Sequence, residues 1–174
     1  MENKDYIFPL AAVVGFPACD SDTIAAETVN FGAIKTLLEL RSSQQRIIFP
    51  CTNSGYGLGQ SDRYCTEESV ISSVSLYGRT KMAAEKEIIE SGNSLTFRFA
   101  TLFGASPRMR TDLLVNDFVY SAVMDHSLVV FEGNFTRNYL HVSDAVNAFI
   151  FAMENFEEMK GKTYNCGLSE ANLS

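Results

Sequence analysis

The sequence predicts an α/β fold in which helices cover both faces of a doubly wound parallel sheet. Three short apolar runs, at 6–10, 46–49 and 95–99, have the length and composition of buried strands. Between them, 23–40 has apolar residues at helical spacing and 75–90 is rich in strong helix formers. This alternation is typical of right-handed crossovers between parallel strands, whose carboxyl ends border the ligand site.

Capping and stop signals set the ends of the two helices. Asp20 or Ser21 is expected to cap the first helix, because a short side-chain oxygen accepts a hydrogen bond from its first turn. The polar run 41–45 ends that helix, and Gly92 with Asn93 ends the second.

Beyond Gly104 the pattern changes. A loop rich in Pro and Arg is followed by a predicted helix at 113–124, a strand at 128–131 and a helix at 142–154. The chain contains no internal repeat, low-complexity tract or flexible linker.

The composition excludes several classes of ligand. Lys and Arg number 14 against 21 Asp and Glu, and the net charge of −7 disfavours nucleic acid and anionic membrane surfaces. The apolar stretch 6–16 falls short of the ~20 residues of a membrane helix. The cysteines have no CxxC pair and lie far from both histidines, so we expect reduced thiols, no metal site and a cytoplasmic protein.

Tyr77 and Lys81 are four residues apart and should project from one face of the second helix. A nearby ammonium favours the phenolate, so Lys81 is expected to lower the pKa of Tyr77 from ~10. Tyr77 could then exchange a proton with a substrate hydroxyl near neutral pH. The spacing alone is weak evidence, because both residue types are common on helix surfaces.

A second polar segment strengthens this interpretation. The run Thr52-Asn53-Ser54-Gly55-Tyr56-Gly57 follows directly after the strand at 46–49, where such a sheet presents its ligand contacts. Its hydroxyl groups could bind the same substrate oxygen on which Tyr77 acts.

In order and spacing, these two segments resemble the extended short-chain dehydrogenase/reductase family, and especially its NAD-dependent nucleotide-sugar 4-epimerases in the epimerase/dehydratase group. Four further segments resemble this family. Leu10-Ala11-Ala12 resembles its L-A-A turn, and Val29-Asn30-Phe31-Gly32 resembles its N-V-x-G helix segment. Residues 98–104 resemble its strand beside the nicotinamide, and 137–144 resemble its R-D-Y-I-H-V-x-D segment.

The resemblance implies a role for each matching residue. The catalytic set is Thr52, Tyr77 and Lys81. The cofactor-binding set adds Leu10, Ala11, Ala12, Asn30 and Phe99 to Tyr77 and Lys81, and the substrate-binding set is Asn53, Ser54, Thr101 and Arg137.

The resemblance also implies how the chain is organised and what it binds. Residues 1–104 are expected to form the C-terminal part of a Rossmann-like NAD(P)-binding domain. Residues 105–174 would form part of a small α+β substrate-binding region, with 138–160 packing back on the first domain. The implied cofactor is NAD, with NADP not excluded, the implied partner is a nucleotide sugar, and the full-length form is expected to be a homodimer.

The sequence departs from the family in three places. No glycine-rich turn precedes Tyr6, and the chain stops soon after Gly167, so we expect an N-terminally truncated fold, incomplete at both ends. Such a fragment is expected not to bind NAD by itself. Asn53 and Ser54 replace the carboxylate pair of the sugar 4,6-dehydratases, so elimination of water is not expected.

Several alternatives stay open at this point. A nucleotide-sugar reductase or dehydrogenase would use the same three catalytic residues, and an inactive fragment or an interaction subunit would need none of them. Asn30 could bond within its own helix, and His141 could be structural. Arg108 and Arg110 could equally be surface charges or ligand contacts.

Overall fold

The computed structural model describes residues 5–58, 64–131, 133 and 137–167, and the backbone of 172–173. Four parallel strands form the main sheet in the order β1-β2-β3-β6. They are β1 (Tyr6–Ile7), β2 (Arg46–Thr52), β3 (Ser94–Phe99) and β6 (Thr163–Cys166). This arrangement confirms the predicted parallel α/β fold.

Three of the four strands of the main sheet end at a common level. Thr52 lies opposite Phe99 in the β2–β3 pair, and Phe99 lies opposite Cys166 in the β3–β6 pair. The carboxyl ends of β2, β3 and β6 therefore meet at one edge, which is where a parallel sheet places its ligands.

The first predicted helix is built from several pieces. They are α1 (Phe16–Ser21), α2 (Thr23–Glu27), a π-helical turn (Thr28–Gly32) and α3 (Ala33–Leu40). The predicted cap was wrong, since Asp22 accepts the hydrogen bond from the Ala25 amide at 2.9 Å. Asp20 and Ser21 lie inside the additional helix α1, so neither occupies a cap position.

The second predicted helix is α4 (Leu76–Glu90), which packs against the same face of the sheet as α3. Side chains of β2 alternate between the two faces, as the pleat requires. Ile47, Phe49 and Cys51 pack towards α3 and α4, whereas Ile48 joins the core on the other face. The sheet therefore has a buried core on each of its two faces.

The other face is covered by α6 (Val142–Glu154) and α7 (Phe156–Met159). Ala145, Ala152 and Phe156 belong to the same buried cluster as the β3 residues Leu95 and Phe97. The residues after β3 thus contribute to the core of the main sheet. The division of the chain into two domains at residue 104 stays a prediction.

A second, smaller sheet contains β4 (Thr101–Phe103), β5 (Arg137–His141) and β7 (Asn172–Leu173), with α5 (Leu114–Met124) between β4 and β5 in the chain. The strand predicted at 128–131 was wrong. This apolar run forms no strand pairing, and its side chains are exposed, Phe131 to 84%. Apolar composition alone did not supply the partner strand that a sheet requires.

The four cysteines form no disulfide, in agreement with the predicted thiols. None of the helices in the described ranges is long and apolar enough to cross a membrane. Within those same ranges, no group of His, Cys, Asp and Glu side chains could hold a metal ion.

Candidate functional site

The carboxyl end of β2 turns sharply into a short 3-10 helix. Thr52 is its last strand residue and accepts a hydrogen bond from the Ser54 amide at 3.1 Å through Oγ1. The same hydroxyl donates to Ser54 Oγ at 3.1 Å. Since Thr52 is only 7% exposed, these two bonds fix the direction of its hydroxyl group. Asn53 is half-buried and Ser54 is exposed at this turn.

The turn is fastened to the segment that leads into α4. The Ser72 amide donates to the Gly55 carbonyl at 3.0 Å, and Ser73 Oγ donates to the same oxygen at 3.0 Å. Gly57 has a φ of +71°, and a Cβ there would lie 2.2 Å from the Ser72 carbonyl oxygen. Only glycine fits where these two segments of the backbone approach each other, so the Thr52 turn lies close to the start of α4.

The two predicted site residues of α4 lie near the carboxyl end of β2. The buried Cys51 thiol donates to the Lys81 carbonyl oxygen at 3.6 Å. At the first turn of α4, a Cβ on Gly78 would meet the Ser54 carbonyl oxygen at 3.0 Å. The structure thus brings the elements that carry Thr52, Tyr77 and Lys81 to one place.

Lys81 is a buried cation that forms no ion pair with the residues the structure describes. It is 3% exposed, and its Nζ lies 3.9 Å from the centroid of the Phe49 ring. It makes no ion pair or hydrogen bond through Nζ within the part of the chain that the structure describes. Burial lowers its pKa to about 8, although the nearby Cys51 and Glu85 act in the opposite direction.

Tyr77 does not have the lowered pKa that its spacing from Lys81 predicted. Its pKa is raised to about 12, chiefly by burial and also by nearby Cys51 and Cys19, while Arg110 lowers it. The expected influence of Lys81 was wrong because its ammonium lies against the Phe49 ring. The phenol is partly exposed and makes no hydrogen bond to the residues described.

Asn30 holds the loop that follows β1. Its Oδ1 accepts from the Val13 amide at 2.8 Å, and its Nδ2 donates to the Val13 carbonyl at 3.0 Å and to Thr80 Oγ1 at 3.3 Å. Asn30 is only 2% exposed. These partners lie outside its own helix, so the alternative that Asn30 bonds within its helix was wrong. Its side-chain amide instead binds the backbone of the loop after β1.

The remaining predicted cofactor contacts fall into two groups. Leu10 is 66% exposed in the loop after β1, beside the exposed Ala11 and the half-buried Ala12. Phe99 is buried instead, with its ring centroid 5.4 Å from that of Phe149. Its side chain belongs to the core, so only the Phe99 backbone reaches the carboxyl edge of the sheet.

Thr101 and Arg137 belong to the second sheet. Thr101 lies opposite Tyr139 in the β4–β5 pair, and Arg137 is an exposed residue at the start of β5. Arg137 has no ion pair with any carboxylate in the described ranges. His141 caps α6, where its Nδ1 lies 2.7 Å from Ser143 Oγ, as the structural alternative requires.

A buried polar network was missed at the level of sequence. Arg98 of β3 forms an ion pair with Glu85 of α4, with Nη2 and Oε1 2.6 Å apart. Arg98 Nη1 also donates to the Tyr56 hydroxyl at 2.8 Å, which donates to Asn165 Oδ1 at 2.6 Å. The network therefore ties the Thr52 turn to α4, β3 and β6. The one sequence signal was the alternation of Thr96 and Arg98 in an otherwise apolar strand.

Arg98 stays charged although it is buried. Burial by itself would lower its pKa, but its hydrogen bonds to Glu85 and Tyr56 and the charge of Glu85 raise it overall. Buried ion pairs with several hydrogen bonds specify a geometry more than they add stability. Here that geometry includes the position of Tyr56, four residues after Thr52.

Comparisons with known proteins find relatives in sequence and in structure. The model of the NAD-dependent epimerase/dehydratase family matches residues 1–167. An uncharacterized UDP-glucose epimerase of Bacillus subtilis, YtcB, is 30% identical over 179 residues, covering 98% of this chain and 55% of that protein. UDP-glucuronate 4-epimerase 4 of Arabidopsis thaliana is 27% identical over 169 residues, covering 90% of this chain and 38% of the relative. The chain thus spans about half of these relatives or less.

Among solved structures, UDP-glucuronic acid 4-epimerase from Bacillus cereus in complex with NAD superposes with a TM-score of 0.84. The match covers 99% of this chain and 56% of that one, at 23% sequence identity. At this identity the likeness establishes the Rossmann-like fold.

Proposed function

The chain belongs to the NAD-dependent epimerase/dehydratase family, and from this premise we propose that it carries the catalytic residues of a nucleotide-sugar epimerase. The proposed reaction inverts one carbinol carbon of the sugar by transient oxidation and re-reduction. The observation that supports it most directly is a phenol and a buried ammonium, Tyr77 and Lys81, beside the Thr52 turn and without hydrogen-bond partners in the described ranges. Proton transfer at a substrate hydroxyl needs such groups.

The residues present fit the nicotinamide half of NAD. A buried ammonium normally has acceptors, and Lys81 lacks them among the described residues, so a ribose hydroxyl would satisfy it. The Phe99 backbone lies opposite Thr52 at the carboxyl end of the sheet, and the exposed loop 10–12 follows β1. Asn30 would act indirectly, by holding that loop through Val13. When bound, NAD supplies the hydride acceptor and donor.

Tyr77 would take the proton from the sugar hydroxyl and later return it. Thr52 would orient that hydroxyl, because its Oγ1 has one remaining lone pair after its two bonds to Ser54. Since burial holds the pKa of Tyr77 at about 12, the phenolate needs a cation close by during turnover.

The nucleotide sugar would be held by residues around this centre. Asn53 and Ser54 would contact the sugar, because they occupy the accessible part of the Thr52 turn. Thr101 and Arg137 would contact the phosphates, since both belong to the β4–β5 sheet and Arg137 is an unpaired exposed cation among the described residues.

The test is a product assay on the protein that carries these residues. UDP-glucose and UDP-glucuronate, the nucleotide sugars named for the relatives, are incubated with NAD, with and without added NADH or NADPH, and the products are resolved by NMR. Interconversion of the C4 epimers without net consumption of NADH or NADPH is expected, and it should disappear in Tyr77→Phe.

Each other outcome identifies a competing function. Net consumption of NADPH with a reduced sugar would indicate the reductase. A Tyr77-dependent 4-keto-6-deoxy product would falsify the proposal, because Asn53 and Ser54 provide no carboxylate for elimination. Binding of neither NAD nor nucleotide sugar by a folded protein would favour an interaction subunit.

A further inference from the structure

Tyr56 ends the short 3-10 helix that begins after Thr52. Thr52 is the N-cap of this single turn, and the Gly57 amide closes it with a hydrogen bond to the Ser54 carbonyl at 3.3 Å. A turn of this length has few internal hydrogen bonds, so its position depends on what holds its two ends. The first end is fixed by β2. The second is fixed by backbone contacts with the segment before α4 and by the Tyr56 side chain.

The Tyr56 side chain is held by two residues from neighbouring strands. Arg98 of β3 and Asn165 of β6 lie opposite each other in the parallel ladder, and we call them the strand pair. The Tyr56 hydroxyl accepts from Arg98 Nη1 at 2.8 Å and donates to Asn165 Oδ1 at 2.6 Å. Arg98 Cζ also lies 5.1 Å from the centroid of the Tyr56 ring. Because Tyr56 is only 7% exposed, these contacts fix its hydroxyl to the sheet.

The strand pair also binds residues 65–67, which follow the turn in sequence. Arg98 Nη1 donates to the Glu67 carbonyl at 3.1 Å. The Asn165 amide donates to Glu67 Oε1 at 2.6 Å, and Asn165 Nδ2 donates to the Cys65 carbonyl at 3.1 Å. Each of these hydrogen bonds joins the sheet to the connection between β2 and α4. The strand pair therefore fixes that connection at two places, Tyr56 and 65–67.

We propose that Tyr56 is a positioning residue of this centre, which acts through Thr52 by fixing the turn that orients the Thr52 hydroxyl. This inference deepens the proposed function and rests on it for its catalytic consequence. Arg98 is bound to Glu85 of α4, the helix that carries Tyr77, so the contact with Tyr56 places the turn relative to that helix. Tyr56 does not exchange protons itself, because its hydroxyl already has a donor and an acceptor, and burial raises its pKa.

The first test measures the turn in the 174-residue chain without ligands. Tyr56→Phe keeps the ring and removes the hydroxyl that binds the strand pair. Hydrogen exchange of the Ser54 amide, which donates to Thr52 Oγ1, is expected to accelerate by about tenfold or more, because a hydrogen bond to a charged group is lost. The acceleration should exceed that of the β3 amides, which report global stability. Tyr164→Phe is the matched control, since that hydroxyl donates only to the Met159 carbonyl at 3.2 Å, and it should leave Ser54 exchange unchanged.

The second test is a double-mutant cycle on turnover of the nucleotide sugar. Tyr56→Phe is expected to lower kcat about tenfold with little change in KM, and to have no further effect when Thr52→Val is already present. A loss of folded protein would lower kcat equally in both backgrounds.

Equal losses in the two backgrounds would overturn the inference, as would exchange of the Ser54 amide at the native rate in Tyr56→Phe. If Tyr56→Phe does not fold, Asn165→Ser, a change at an exposed residue that removes the acceptor of the Tyr56 hydroxyl, decides by the same two measurements. The exchange experiment needs neither NAD nor nucleotide sugar, so its failure is distinguishable from failure of the proposed turnover.

Discussion

The Nζ atom of Lys81 lies 3.9 Å from the centroid of the Phe49 ring, and this contact replaces the expected one with Tyr77. The ammonium is buried, and its pKa falls to about 8. A residue that costs stability in the folded chain yet occupies a site position suggests that function determines its identity.

Lys81→Met is therefore expected to stabilise the 174-residue chain while removing turnover. Methionine keeps the apolar length of the side chain and removes the desolvated charge, so the free energy of unfolding at pH 7 should rise by about 1 kcal/mol or more. Urea unfolding measures this change. Lys86→Met is the matched control, since Lys86 lies on the same helix with a side chain 75% exposed. Equal effects of the two substitutions would contradict the burial argument.

The stability of the unmodified chain should also depend on pH through Lys81. Between pH 8 and 10.5, the values for the folded site and a solvated lysine, the unfolded chain holds a proton that the folded chain has lost. The contribution of Lys81 to the free energy of unfolding therefore rises with pH across this window and is lowest below it. Cys19, Cys51 and Cys166, whose pKa burial raises, act in the opposite direction from about pH 9, and Tyr77 does so from about pH 10. The rise is therefore measured as the difference in free energy of unfolding between the unmodified chain and Lys81→Met, which share these other groups.

Arg98→Met is expected to be strongly destabilising, by about 3–5 kcal/mol, because it leaves the Glu85 carboxylate buried without its partner. The double variant Arg98→Met with Glu85→Leu should recover much of the loss. Thermal unfolding monitored by circular dichroism gives both values. A double variant no more stable than Arg98→Met would mean that the hydrogen bonds to Tyr56 and Glu67, not the unpaired carboxylate, account for the cost.

Gly57→Ala tests the crossing between the Thr52 turn and the segment before α4. Backbone strain costs about 1–3 kcal/mol at such a φ, and the contact with the Ser72 carbonyl adds to it. Gly92→Ala is the control, since Gly92 shares the φ of +71° but a Cβ there would meet no atom within 4 Å. The denaturant midpoint should fall further for Gly57→Ala than for Gly92→Ala. Equal falls would show that the contact with the Ser72 carbonyl adds nothing to the cost of the strained φ.

Asn30→Ala should loosen the loop after β1. The change removes the acceptor of the Val13 amide and leaves buried polar groups unpaired, at a cost of about 1–3 kcal/mol. Hydrogen exchange of the Val13 amide should accelerate. Thr36→Ala, which removes only a 3.4 Å bond within its own helix, should leave that exchange rate unchanged. Exchange at the native rate in Asn30→Ala would show that the loop is held by other contacts.

The sequence by itself determined the first three strands of the main sheet, the helical segments between them, and where a ligand site is expected. Apolar runs flanked by helical patterns are local signals, and a parallel sheet fixes where its carboxyl ends lie. The segments containing Thr52 and Tyr77 could therefore be located before any contact was known. The same signals failed at 128–131, because apolar composition does not reveal whether a partner strand exists.

Only the tertiary structure decided which groups act on one another at the site. Spacing on a helix places Tyr77 and Lys81 on one face, but side-chain torsions and the Phe49 ring determine where the ammonium goes. Arg98 reaches Tyr56 through a contact between residues far apart in sequence. Electrostatic energy depends on distance and burial, and both are properties of the folded chain that local sequence does not encode.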